Sequence, residues 1–192
     1  MSEKKNKKII IFASGDGTNA EEIIKYFKNN NKVNIQLILT NNSNAGVLKR
    51  AKKHQIPAIF YNNEAFEKKI VFQILNSLNP SLIVLAGFIR KIPNTIISRF
   101  QNKIINIHPA LLPSHGGKGM FGIEVHKSVI RSNDSKTGVT IHYVNSNYDE
   151  GKIIFQKSLK VDPDDSPESL FRRVQKLEHK YYSLIIEKLL NG

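Results

Sequence analysis

The sequence predicts an α/β fold: a Rossmann-like, mostly parallel sheet with helices on both faces and an antiparallel C-terminal strand addition. Three observations carry that reading. Five apolar runs, at residues 8–13, 33–40, 56–60, 82–86 and 104–108, alternate with stretches of helical period. Runs that are apolar almost throughout suit strands buried on both faces, which is the habit of parallel sheets, and parallel neighbours need right-handed helical crossovers. Residues 138–144 then alternate in polarity, and a further strand over 151–161 follows a short loop, as an antiparallel addition would. At 192 residues and 40% hydrophobic content the chain can bury one core, so a single domain over 1–192 is expected.

The first strand, 8–13, runs directly into Ser14-Gly15-Asp16-Gly17-Thr18-Asn19 and a helix over 20–27. Thr18 and Glu21 are spaced as a capping box. Strand, glycine-rich turn and helix together aim backbone N–H groups at an anion, although tight strand-to-helix turns use glycine for geometry alone. The second strand is followed by a short helix over 45–54, and the third, short strand has Pro57 near its start. One helix is predicted over 64–79, with Phe66, Ile70, Ile74 and Leu78 facing the sheet, ended by Pro80. The fourth strand leads to a loop, Gly87-Phe88-Ile89-Arg90-Lys91-Ile92-Pro93, and a helix over 94–100.

The fifth strand ends in Asn106-Ile107-His108-Pro109-Ala110-Leu111-Leu112-Pro113. Residues two apart share a strand face, so Asn106 and His108 point the same way where Pro109 takes the chain out of the sheet. An amide donor beside an imidazole at a strand's carboxyl end is a candidate reaction centre; a histidine that only bonds a turn is the alternative. Gly116, Gly117, Gly119 and Gly122, with Lys118, Met120 and Phe121, form a loop suited to substrate contact, and a helix over 124–131 carries His126. In the sixth strand Thr140 and His142 share one face, with Val139, Ile141 and Tyr143 on the other. The last helix has Ser166 as cap and Pro167 in its first position. Its predicted stripe is Leu170, Val174, Leu177, Tyr181 and Leu184, with Glu178 at the stripe's edge.

Composition narrows the function classes. Absence of cysteine excludes disulfides, thiolate zinc sites and a cysteine nucleophile. The net charge of +13, from 29 basic and 16 acidic residues, is scattered apart from Lys4, Lys5, Lys7 and Lys8. Without basic–aromatic interleaving, no nucleic-acid partner is expected, while a local positive pocket for a phosphate stays open. The charged N-terminal residues lead straight into a strand, and no apolar run reaches transmembrane length, so no membrane association and a cytoplasmic location are expected.

The turn at 14–19, Leu85-Ala86-Gly87-Phe88-Ile89-Arg90, the Asn106–Pro113 block, Gly138-Val139-Thr140-Ile141-His142 and Tyr148-Asp149-Glu150-Gly151 together resemble the phosphoribosylglycinamide formyltransferases of the folate-dependent formyltransferase superfamily. The resemblance spans nearly the whole chain in order. It implies formyl transfer from 10-formyltetrahydrofolate, as cosubstrate, to the amine of glycinamide ribonucleotide in purine biosynthesis, a step of one-carbon metabolism. No metal and no covalent enzyme intermediate are expected, because the substrate amine is itself the nucleophile. The implied catalytic residues are Asn106, donating to the tetrahedral oxyanion, His108, stabilising it and supplying a proton, and Asp149, raising the imidazole's pKa and relaying a proton.

The implied ribonucleotide site is Asp16, Gly17, Thr18, Asn19 and Glu178, with Lys118 as a further phosphate ligand. The implied folate site is Phe88, Ile89, Arg90, Lys91, Ile92, Val144 and Asn106, with Thr140 and His142 in support. Asp16 sits awkwardly beside a dianion unless its side chain turns away and its main chain contributes. Asn63 stands where a basic residue for the folate tail is expected, and the 116–122 loop is richer in glycine than the commonest family pattern. Small-molecule substrates and a monomer or homodimer complete the expectation.

Overall fold

The computed structural model describes residues 6–191, so Lys4 and Lys5 of the basic cluster lie outside the described residues. One seven-stranded sheet runs in the order β3-β2-β1-β4-β5-β6-β7. Its strands are β1 (Lys7–Phe12), β2 (Val33–Thr40), β3 (Ala58–Phe60), β4 (Leu82–Leu85), β5 (Ile104–His108), β6 (Lys136–Tyr143) and β7 (Ile153–Lys160). The first five are parallel, and β6 and β7 are antiparallel to their neighbours, as the periodicities predict.

The helices divide between the two faces. Alternate residues of each central strand feed two cores, which is why those strands read as apolar throughout. Ile9, Ile11, Ile105 and Ile107 pack on one side with α1 (Thr18–Phe27), α2 (Gly46–Lys53), α6 (Ile123–Arg131) and α7 (Pro167–Asn191). Ile10, Phe12, Ile83 and Leu85 pack on the other with α3 (Asn63–Glu67), α4 (Ile70–Leu78) and α5 (Asn94–Arg99). Each such side chain, fully buried, contributes roughly 1.5–3 kcal/mol. Among the described residues no helix is long and apolar enough to cross a membrane.

Three local expectations are corrected. The predicted helix over 64–79 is two helices, broken at Lys69 (φ 62°). The break rotates the second helix by one position, so Val71 and Leu75 are buried while Ile70 is 46% exposed. Thr18 and Glu21 form no capping box. Gly17 caps α1 from a left-handed conformation without a side-chain bond, and Glu21 turns inward onto Arg50, Lys53 and His54. On α7 the buried line is Leu170, Val174, Tyr182, Ile186 and Leu190, a strict four-residue progression, and Leu184 faces solvent. Glu178 stands on that progression, between Val174 and Tyr182, rather than at its edge. The Ser166 cap is present, its hydroxyl accepting from Ser169 N at 3.2 Å.

Candidate active site

The strand order reverses between β1 and β4, and the carboxyl ends of β1, β4 and β5 open there into one cleft of about 870 Å³. Parallel α/β sheets bind ligands at this kind of switch point, because the outgoing loops diverge and leave a crevice. The lining includes the 14–19 turn, Phe88 and Ile89, Asn106 and His108, the 117–122 loop, Asp149, and Phe171, Gln175 and Glu178 of α7.

At one end lies the glycine turn. Gly17 (φ 78°) needs the conformational freedom of glycine, and it also needs the space, since a Cβ would come within 2.5 Å of Val47 Cγ2. Ser14 ties the turn to its neighbours: its Oγ donates to Asn41 Oδ1 at 2.6 Å and accepts from Ile89 N at 3.1 Å. The Asp16 carboxylate is engaged by Arg50 Nη2 at 2.6 Å, and Arg50 Nε donates to the Asp16 carbonyl at 2.7 Å. A guanidinium therefore neutralises the Asp16 carboxylate beside the start of α1, which meets the objection to Asp16. The same Arg50, with Lys53 and His54, surrounds Glu21 and holds its carboxyl down at about 2. His54 and Lys53 contribute most, against the upward push of burial.

From α7, Gln175 Nε2 donates to Thr18 Oγ1 at 3.3 Å and Glu178 accepts from Asn19 Nδ2 at 3.0 Å. Burial pushes the Glu178 carboxyl up to about 7, with the Asn19 amide pulling the other way.

At the centre, the β5–β6 register sets Asn106 opposite His142 and His108 opposite Thr140, which joins the two pairs that share strand faces. His142 Nδ1 lies 2.9 Å from the Tyr143 carbonyl and donates to it, which turns Nε2 toward Asn106 Nδ2 at 3.2 Å and Asp149 Oδ1 at 3.6 Å. The same Nδ2 donates to Asp149 Oδ1 at a longer 3.4 Å. His108 Nε2 donates to the His115 carbonyl at 2.8 Å, so its Nδ1 faces Asp149 Oδ2 at 3.6 Å.

Burial pushes the His108 imidazole below its ordinary pKa even though Asp149 and the His115 carbonyl favour the charged ring. The expected rise is thus a real influence of Asp149, but the weaker one. Burial also pushes the Asp149 carboxyl upward, and His142, His108 and the Gly117 N–H together hold it below its ordinary value. Thr140 works one layer out. Its hydroxyl donates to Ala110 O at 2.6 Å and accepts from Leu112 N at 3.0 Å, pinning the loop that leaves β5.

The remaining predicted residues divide. Phe88, Ile89 and Lys118 line the cleft. Arg90 and Lys91 are exposed beyond its rim, with Lys91 Nζ 5.9 Å from the Tyr148 ring centroid. Ile92 is buried in the core and Val144 packs against that core, its N–H bonded to Ile104 O at 2.9 Å. Asn63 opens α3 and is exposed.

Sequence reasoning named Ser14 only as part of its turn and missed Arg50, His115, Phe171 and Gln175. Gln175 lies three residues before Glu178, one helical turn away, and that spacing was the available signal; the others become visible only when distant segments meet. His126 reaches the cleft on α6, fully buried, with neither ring nitrogen bonded among the described residues, and burial holds its pKa at about 4. No group of His, Asp or Glu able to hold a metal ion occurs among the described residues.

A family model described as formyl transferase matches residues 7–186. The phosphoribosylglycinamide formyltransferase of Bacillus subtilis is 36% identical over 190 residues, covering 96% of this chain and 95% of its own. The chloroplastic phosphoribosylglycinamide formyltransferase of Arabidopsis thaliana is 34% identical over 191 residues, and the chain spans 65% of that relative's length. Among solved structures, the phosphoribosylglycinamide formyltransferase from Bacillus halodurans superposes with a TM-score of 0.86 at 36% identity, over 96% of this chain and 95% of that one. The one from Anaplasma phagocytophilum gives a TM-score of 0.89 at 29% identity, over 97% and 88%. Sequence along nearly the whole chain and fold agree: the chain belongs to the formyl transferase family and, within it, to the phosphoribosylglycinamide formyltransferases.

Proposed function

We propose that the protein transfers the formyl group of 10-formyltetrahydrofolate to the amine of glycinamide ribonucleotide, by direct attack of the amine on the formyl carbon. The observation that carries this reading is the meeting of Asn106, His108 and Asp149 midway along a cleft that has a phosphate-type turn at one end. The phosphate is bound by N–H groups of the 16–19 turn at the start of α1, with Lys118 supplying charge from the facing loop. Glu178, held by Asn19, takes the ribose hydroxyls. The folate lies against Phe88 and Ile89, with Arg90, Lys91, Ile92 and Val144 shaping the loops that carry that side.

As the amine attacks, negative charge develops on the formyl oxygen. Asn106 exchanges its long bond to Asp149 for that oxygen, and His108 in its charged form stabilises the oxygen as well. The surplus proton of the amine passes through His108 and Asp149 to the departing folate nitrogen, with no metal in the step. An assay with 10-formyltetrahydrofolate tests the reading, comparing glycinamide ribonucleotide with initiator methionyl-tRNA as acceptor. Turnover of the ribonucleotide is expected; folded protein that formylates only the tRNA would refute it.

A further inference from the structure

One short segment grips both members of the His108–Asp149 pair. The His115 carbonyl accepts from His108 Nε2 at 2.8 Å, and two residues on, the Gly117 N–H donates to Asp149 Oδ2 at 3.0 Å. Gly116 between them is wedged, since a Cβ there would lie 2.7 Å from Leu112 Cδ2 and 3.2 Å from Asp149 Cβ. His115 itself has φ 56°. A non-glycine residue adopts that left-handed conformation only against the clash of its Cβ with the backbone, so other contacts must hold it there.

The His115 ring provides those contacts. Nδ1 lies 2.8 Å from Ser128 Oγ and Nε2 lies 2.7 Å from Asp134 Oδ2. A carboxylate only accepts, so Nε2 carries the hydrogen. The serine hydroxyl can donate to Nδ1 of a neutral ring or accept from a charged one, so both bonds survive either protonation state. Ser128 is on α6 and Asp134 is in the turn that closes it, tied back through Asp134 N to Val129 O at 3.4 Å. None of His115, Ser128 and Asp134 lines the cleft. They can influence the reaction only through the residues they hold.

We propose that Asp134, His115 and Ser128 form a positioning cluster for the reaction: the His115 ring, anchored to α6 at both nitrogens, sets the 115–117 segment that aligns His108 with Asp149. This rests on the roles proposed above for His108 and Asp149. The cluster is three polar side chains spaced along 20 residues, 115 to 134, brought together by the return of α6 beneath the loop.

His115→Phe keeps the ring's bulk and removes both anchors. Turnover (kcat) is expected to fall tenfold or more, with KM for both substrates within twofold of the parent. The groups that face His108 are Asp149, His142, His115 and His126; Asp149 and the His115 carbonyl bond favour the charged ring, and the His142 and His115 rings oppose it. Loosening the His115 carbonyl bond should therefore move the His108 titration, followed by NMR, to lower pH in the Asp134→Ala variant, which keeps the His115 ring, and in His115→Phe the loss of that ring's opposing influence makes the shift smaller. Asp134→Asn still offers an oxygen to Nε2–H and should stay within threefold of the parent, whereas Asp134→Ala should behave like His115→Phe.

If His115→Phe does not fold, the paired change Ser128→Ala with Asp134→Ala removes the same anchors from the helix side and is read in the same two ways. Parental kcat together with a parental His108 titration in either folded variant overturns the proposal. His108→Ala serves as the control. If it retains full turnover, the role of His108 is what has failed, and the NMR titration still decides whether the cluster positions it.

Discussion

His108 is held between opposing influences. Burial favours the neutral ring, while the Asp149 carboxylate 3.6 Å away and the His115 carbonyl favour the charged one. A group so balanced gains a proton when charge appears beside it, which is what a formyl oxygen turning anionic would supply. His108→Ala and Asp149→Asn are therefore each expected to lower kcat by about a hundredfold or more, while ribonucleotide affinity measured by calorimetry changes little. Near-parental turnover in either variant would contradict the assigned roles.

Glu178 shows the cost of half-burying a carboxyl in the wall of the cleft. Its carboxyl has an ordinary value of 4.5 and is pushed up to about 7 by burial. Between those values the folded chain holds a proton that the unfolded chain has released, so stability falls as pH rises from about 4.5 to about 7 and stays lower above that. Glu178→Gln should raise unfolding stability at pH 8 by roughly 2 kcal/mol in urea titrations and leave it unchanged at pH 4. An equal gain at both pH values would show that ionisation is not the cause. The same variant should bind the ribonucleotide more weakly, since an amide accepts fewer hydrogen bonds from a diol than a carboxylate does.

Among the elements, the turn between β1 and α1 depends most on its surroundings. Its two glycines and the helix start are plain in the sequence, but the neutralising partner of Asp16 comes from α2. Arg50 binds the Asp16 carboxylate and carbonyl and the Glu21 carboxylate together, so one side chain sets both the charge and the position of the turn. Arg50→Met should raise KM for the ribonucleotide by about tenfold, about 1.4 kcal/mol of lost phosphate binding, with kcat little changed. The opposite split, a kcat loss at parental KM, would mean that Arg50 does not act through the phosphate turn. The break of the predicted 64–79 helix at Lys69 belongs to this scale too. The periodicity correctly marked an amphipathic region, and Phe66, Ile74 and Leu78 do pack against the core, partly buried; docking against Phe12, Leu85 and Phe100 puts Val71 and Leu75 at the centre of that contact and leaves Ile70 exposed. A sequence window cannot register such a rotation, because it reflects the shape of the receiving surface.

For the molecule as a whole, one continuous sheet lies between the two cores, and α7 packs over one of its faces. Helix α7 seals one face against α1, α6 and β6, and Tyr182 at its middle donates to the carbonyls of Leu85 and Ile105 on β4 and β5 at 2.9 and 3.3 Å. The single-domain reading thus predicts one cooperative unfolding transition, with coincident urea midpoints by far-ultraviolet dichroism and tyrosine fluorescence. Two separated transitions would refute it. The sequence by itself determined the strand order and the change from parallel to antiparallel strands, and it singled out Asn106, His108, Asp149 and the 14–19 turn, which the fold brings to one cleft. Those features rest on local periodicity and on motifs contiguous in the chain. The tertiary structure decided which charges are neutralised, that burial outweighs Asp149 in setting the His108 pKa, and that His115 is tied to α6. Those properties depend on distance and solvent access between residues far apart in the chain, and neither exists until the layers pack.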